Sequence, residues 1–132
     1  MRIDGKRAVV TGGAVGIGRA IALRLAAAGA EVVVADIDVA GGSRTCELIS
    51  SSARFVQVDM RDDAAVTDLM ACQPQILVNN AGGGAALPVA ERGPELVPLE
   101  VLTDAVVRFV EDESLAGRVV LLDRGAEPRF LE

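Results

Sequence analysis

Up to Asn79 the chain alternates between two hydrophobic patterns. Short continuous apolar runs predict buried strands at Lys6–Thr11 (KRAVVT), Glu31–Asp36 (EVVVAD), Arg54–Asp59 (RFVQVD) and Gln75–Asn79 (QILVN). Between them, apolar residues recur at helical spacing. Ile17, Ile21 and Leu25, set among alanines, predict a helix over Gly16–Ala28 that Gly29 stops with a left-handed cap. Val39–Ser50 predicts a second helix, its start weakened by Gly41 and Gly42. Asp62–Ala71 predicts a third, with Asp62 and Asp63 at its positive end. Strand–helix alternation of this kind implies a parallel sheet with right-handed crossover helices. No repeat of solenoid period is present.

From Gly83 to Pro98 the pattern lapses into a stretch rich in Gly and Pro, which predicts an irregular loop. It returns at Leu99. Val101, Leu102, Ala105, Val106, Phe109 and Val110 form a helical stripe, Gly117 ends the turn, and Arg118–Asp123 (RVVLLD) predicts a fifth strand. The tail, residues 124–132, is expected to be partly ordered at best. The whole reads as one domain, residues 1–132.

Composition narrows the function classes. With 132 residues, 51% of them apolar, the chain can build one core and hide roughly 68% of its unfolded surface. Phe55, Phe109 and Phe130 are the only aromatic residues, too few to stack single-stranded bases. A net charge of -6, with arginines scattered singly, argues against phosphate-backbone partners. Cys46 and Cys72 have no metal-site spacing and there is no histidine, so no metal site is expected and both thiols read as packing residues. No leader and no apolar run of membrane length is apparent, which makes a cytoplasmic protein the expectation.

The chemistry concentrates in Thr11-Gly12-Gly13-Ala14-Val15-Gly16-Ile17-Gly18. A glycine pattern alone is weak, since any tight strand-to-helix turn uses glycine. Here it follows a strand, opens a helix and sits in a βαβ unit. Gly12, Gly16 and Gly18 let the backbone turn and a pyrophosphate approach, while the helix start offers free N–H groups to the anion. Asp36 closes the second strand, where a carboxylate accepts from ribose hydroxyls and repels a 2′-phosphate. Ile37 follows it and Val15 stands in the loop, so no arginine at either place holds that phosphate. NAD(H) is therefore preferred over NADP(H). Asp59 closes the third strand in the same way, within reach of an adenine amino group; simple solvation is the competing explanation for both acids.

These residues together resemble the short-chain dehydrogenase/reductase family. The TGGAVGIG segment is similar to that family's TGxxxGxG loop, Asp36 to its NAD-selecting acid, and Val58-Asp59-Met60 to its adenine-side motif. Asn79-Asn80-Ala81-Gly82 matches the tetrapeptide that follows the family's fourth strand. The resemblance covers residues 1 to about 83 and returns from Pro98 to Gly125, where Arg124 interrupts a Gly-Gly the family often has. It implies a Rossmann-like doubly wound α/β fold and cofactor contacts from Gly12, Val15, Gly16, Ile17, Gly18, Asp36, Ile37, Asp59, Met60, Asn80, Ala81 and Gly82.

The family's middle is missing. It would hold further strands, the catalytic serine, the Tyr-x-x-x-Lys pair and the nicotinamide clamp. This chain has no tyrosine, no histidine and one lysine, Lys6, at the wrong end of the first strand. No catalytic residue is assigned, and hydride transfer by this chain alone is expected to be inefficient or absent. Binding of NAD is expected to be weak, with AMP or ADP-ribose nearly as good. The fourth strand would expose an apolar edge unless Arg118–Asp123 pairs there, giving five strands in the order 3-2-1-4-5 with helices on both faces. The family's habit of assembling through its last helix and strand favours a homodimer. Two other functions remain open: an interaction protein that keeps the fold as an assembly surface, and an enzyme completed by a partner chain.

Overall fold

The computed structural model describes residues 1–81, 98–115, 119–121 and 129–131. They fall into two compact units, Arg2–Gly82 and Gly83–Glu132 with Met1. In the first unit β1 (Arg7–Thr11), β2 (Glu31–Asp36), β3 (Ala53–Gln57) and β4 (Ile76–Asn79) form one sheet in the order β3-β2-β1-β4. All three pairings are parallel, with Val9 opposite Val33 and Leu77, and Val34 opposite Phe55. The four strands expected from the apolar runs are all present, in the expected order. The central pair, β1 and β2, is the most deeply buried, as continuous Val/Ala runs require.

Alternation along the strands sends successive side chains to opposite faces. On one face Val9, Val33, Ala35 and Val58 pack with Leu69 of α3 (Asp63–Met70), flanked by Val56, Ala65 and Cys72. On the other, Val10 and Val34 lie beneath the turn that leads into α1 (Gly16–Ala27), and Phe55 lies against α2 (Val39–Ile49). Helices therefore cover both faces, the doubly wound arrangement that the alternation predicts.

Local chemistry sets the helix ends. At the end of α1 the N–H of Gly29 (φ +97°) donates to Ala26 O and that of Ala30 to Leu25 O, a paired C-terminal cap that needs a left-handed residue. The carboxylate of Asp38 accepts from the N–H of Gly41 at the start of α2, and that of Asp62 accepts from Ala64 and Ala65 at the start of α3.

The two glycines of α2 do not fray its start. A Cβ on Gly41 would come within 3.0 Å of the Ala14 Cβ, and one on Gly42 would run into the Phe55 ring. Their helical cost is exchanged for close packing of α2 on the sheet and on the glycine loop.

The second unit holds α4 (Leu99–Glu111), a helical turn at Glu113–Leu115, β5 (Val119–Leu121) and β6 (Arg129–Leu131). The α4 residues buried most deeply are Thr103, Ala105 and Val107; of the expected stripe only Ala105 is among them, and Val101, Leu102, Val106, Phe109 and Val110 are half-buried. One expectation is corrected here. β5 does not extend the parallel sheet as a fifth strand; it pairs antiparallel with β6. The partner lies in the tail that was expected to be partly ordered at best. A strand a few residues away closes a short loop, whereas parallel pairing needs a long crossover, so the local partner costs less entropy. The irregular segment expected at residues 83–98 lies outside the described residues apart from Pro98.

Candidate functional site: the carboxyl ends of the strands

The loop between β1 and α1 turns through two glycines in the left-handed region, Gly12 (φ +68°) and Gly16 (φ +59°). They serve different ends. A Cβ on Gly12 would sit 2.9 Å from Asn80 Nδ2 and 3.0 Å from Ala81 Cα, so the residue is small because β4's exit packs on it. A Cβ on Gly16 would meet nothing within 4 Å. Space lies open in front of Gly16, as close approach of a ligand to the backbone requires. Gly18 is the tightest position of the loop: its Cβ would collide with the Gly12 carbonyl and lie 2.6 Å from Asn80 Nδ2.

The start of α1 presents unpaired donors. Val15 stands at the N-cap with no side-chain hydrogen bond, and no acidic residue occupies the first turn. The orphan N–H groups and the positive end of the helix dipole are thus left for an anion. Val15, Gly16 and Ile17 are exposed there.

Asn80 and Ala81 brace this loop. Thr11, buried at the end of β1, accepts through Oγ1 from the N–H of Asn80 and that of Ala81, both at 3.0 Å. The Asn80 amide donates to the carbonyls of Thr11 and Gly12, each at 3.2 Å. The side chain of Asn80 is therefore occupied in stitching β4 to the glycine loop. Among the expected cofactor residues it holds the site together rather than facing outward. Ala81 is exposed beside it; Gly82 lies outside the described residues.

Asp36 stands at the carboxyl end of β2, half-buried, adjacent to the loop. Its Oδ2 accepts from the N–H of Ala14 and its Oδ1 from the N–H of Asp38, both at 3.0 Å. These bonds fix the carboxylate and leave lone pairs free, since a carboxylate offers about four acceptor sites. Ile37, next along, is 58% exposed and can line the face of a nucleotide but not pair with a phosphate.

Asp59 is differently placed. It accepts from Arg61 through Nε, NH2 and the backbone N–H, at 2.8–3.0 Å. The Arg61 side-chain bonds, then the backbone bond, hold its carboxyl down to about 2. Met60 is exposed between them. Asp59 thus brings its own counter-ion, which the residue pattern alone did not show.

Two further residues belong to the site. Arg19, one residue past the loop motif, and Thr45, fully buried in α2, bond to the loop carbonyls of Ala14 and Gly13. An arginine just past the last glycine and a threonine in a glycine-broken helix carry no motif that announces the contact. Lys6 precedes β1 and lies at the amino end of that strand, away from these groups. Among the described residues no group of His, Cys, Asp and Glu is arranged to hold a metal ion. No helix among them is long and apolar enough to cross a membrane.

The arrangement is a cradle at the carboxyl edge of a parallel sheet: backbone N–H groups, a fixed carboxylate at the next strand end and an apolar rim. Groups of this kind can hold an anion joined to a polyol. Comparison with known proteins agrees. The family model for short chain dehydrogenases matches residues 6–98. Galactitol 2-dehydrogenase of Agrobacterium fabrum is 38% identical over 128 residues, covering 92% of this chain and 46% of the relative. The 2,3-dihydroxy-2,3-dihydro-p-cumate dehydrogenase of Pseudomonas putida is 41% identical over 103 residues, 70% of this chain and 40% of the relative. Among solved structures, a short chain dehydrogenase/reductase from Burkholderia phymatum in complex with NAD superposes with a TM-score of 0.62 at 28% identity, over 82% of this chain and 44% of that one. The 3-ketoacyl-(acyl-carrier-protein) reductase of Brucella melitensis complexed with NADH gives 0.58 at 32% identity, over 85% and 50%. The chain spans about half the length, or less, of these relatives. With the family model covering most of the chain and the glycine loop, strand-end acid and Asn80–Ala81 brace in their places, the protein belongs to the short-chain dehydrogenase/reductase family.

Proposed function

We propose that this chain is a nucleotide-binding domain of oxidoreductase ancestry that holds NAD(H) through its adenosine and pyrophosphate and does not itself carry out efficient hydride transfer. The observation that carries the reading is the uncapped N-terminus of α1 beside the fixed Asp36 carboxylate, with open space in front of Gly16. Gly16 and the first N–H groups of α1 would hold the pyrophosphate, Asp36 the ribose hydroxyls, and Ile37, Asp59 and Met60 the adenine side. Asp36 and the lack of a cation at Val15 and Ile37 favour NAD over NADP. When bound, the dinucleotide supplies a hydride acceptor or donor. The residues of this chain bind and orient it, but no tyrosine is present to move the proton at a substrate oxygen.

Titration of the full chain with NAD, NADP and AMP tests this. NAD is expected to bind more tightly than NADP, and AMP to compete it away at similar concentration. NAD that AMP cannot displace would mean that nicotinamide contacts exist and that the reading is wrong about the missing half. Absence of any nucleotide binding would leave the fold as an assembly surface.

A second reading, assembly as a homodimer or with a completing partner, is favoured by one feature. Leu77, on the edge strand β4, is 52% exposed although it lies opposite the core residue Val9. An exposed apolar residue on a strand edge invites a neighbour. Sedimentation of the purified chain at several concentrations decides it: a concentration-independent monomer mass excludes the homodimer.

A further inference from the structure

The carbonyls behind the glycine loop are held by a small polar latch. Arg19 donates from NH2 to Ala14 O at 2.6 Å and to Gly41 O at 3.2 Å, and from Nε to Thr45 Oγ1 at 2.9 Å. Thr45 Oγ1 donates in turn to Gly13 O at 2.8 Å. Thr45 is fully buried, and Gly41 is kept small where a Cβ would press on Ala14. The latch therefore joins α1, the loop and the first turns of α2 into one body.

Its consequence lies on the other side of the peptides. The Gly13 and Ala14 carbonyls are fixed inward, so the chain leading into Gly16 and the first N–H groups of α1 cannot rotate away. A charge-assisted bond as short as that to Ala14 O resists such rotation more than a neutral one. The guanidinium also adds positive charge directly behind the anion-binding end of α1. Asp36 has a separate hold: its Oδ1 accepts from Asp38 whether or not the Ala14 peptide is pinned. Asp36 thus depends on the latch through only one of its two bonds, whereas the Gly13 and Ala14 carbonyls are held by the latch itself.

We propose that Arg19 and Thr45 are positioning residues that preorganise the loop for the pyrophosphate of a bound dinucleotide. This rests on the nucleotide reading of the site. The test compares NAD with adenosine, which has the ribose but no phosphate, by calorimetric titration of the full chain and of Thr45→Val, Thr45→Ser, Arg19→Met and Arg19→Lys. Amide hydrogen exchange at Gly13–Ile17 is followed without ligand.

Thr45→Val and Arg19→Met are expected to weaken NAD about tenfold, the worth of one or two lost hydrogen bonds, and adenosine less than about threefold. Exchange should rise at the loop and not in β1. Thr45→Ser should restore both, and Arg19→Lys, which keeps the charge but not the fork, should restore the affinity in part. Equal losses for NAD and adenosine, or a fall in melting temperature with no change in loop exchange, would make the pair a general fold element and overturn the proposal. If the parent chain binds neither ligand, the nucleotide reading fails. The exchange data then judge the latch alone, and unchanged loop exchange in Thr45→Val overturns that too.

Discussion

The corner where β1 enters α1 and the corner where β3 leads to α3 present their acids and loops to the same edge of the sheet, yet they are built to different standards. At the first, Thr11, Asn80, Arg19 and Thr45 pair with loop carbonyls and N–H groups in a part-buried web, and Gly12 and Gly18 are small because something packs on them. At the second, Asp59 and Arg61 form an exposed pair between residues two apart. The contrast separates where the fold specifies geometry from where it merely supplies a charge. Substitutions at the first corner should cost both stability and affinity; those at the second should hardly register.

The largest effect is expected at Gly18. In Gly18→Ala the new methyl meets the Gly12 carbonyl, backbone that cannot swing aside, so a loss of about 3 kcal/mol in stability is expected by chemical denaturation, together with loss of nucleotide binding. Gly16→Ala sharpens the point. Its methyl points into open space, so only the positive φ is strained, at about 1 kcal/mol. Its affinity for NAD should nevertheless fall as far as that of Gly18→Ala. Equal stability losses in the two variants would mean that the loop glycines do a single job.

Next in size is Thr11→Val, nearly isosteric, which strips the acceptor from the N–H groups of Asn80 and Ala81. A buried donor left unpaired costs about 1–3 kcal/mol, so a destabilisation near 2 kcal/mol is expected. Thr11→Ser should recover most of it. A neutral Thr11→Val would show that water already serves those amides.

How far the sequence foretold these places depends on what kind of signal each carries. The four parallel strands and their order were legible because buried strands read as continuous Val/Ala runs and strand–helix alternation leaves few topologies. The glycine loop, Asp36 and the Asn-Asn-Ala-Gly brace were legible as motifs at fixed offsets. Three things were not. Asn80 was expected to face a cofactor, but which way an amide points is decided by the carbonyls around it, here those of Thr11 and Gly12. Gly41 and Gly42 looked like defects of α2 because helix propensity is local, whereas their reason is the Ala14 and Phe55 side chains across a gap. The pairing of Val119–Leu121 with Arg129–Leu131 turned on a short second strand that no apolar run announced.

A smaller effect, confined to affinity and selectivity, is expected at Asp36. Asp36→Asn keeps one acceptor for the Ala14 or Asp38 N–H but removes the charge. NAD should weaken about tenfold, the scale of a lost charge-assisted hydrogen bond, while NADP weakens less because the repulsion of its 2′-phosphate is gone. The ratio of the two dissociation constants, measured on the same preparation, is the readout. An unchanged ratio would place the ribose elsewhere.

The smallest effect belongs to the exposed corner. Asp59 titrates at about 2, below its ordinary 3.8, because Arg61 bonds to its charged form. A carboxyl whose folded value is depressed stabilises the fold fully above the unfolded value near 4 and loses that contribution as pH falls through 2. From about pH 6 to 8 the group is charged in both the folded and the unfolded chain, so it gives no slope to either stability or nucleotide affinity in that range. Arg61→Ala should move the Asp59 midpoint up toward 4, seen by carboxyl carbon resonance. It should also release an acceptor for an adenine amino group, so AMP affinity should change by no more than about threefold, in the direction of tighter binding. Exposed pairs are worth little, and the loss of this one should leave the denaturation midpoint where it was. A marked destabilisation in Arg61→Ala would break the contrast between the two corners, because the second would then be holding structure as the first does.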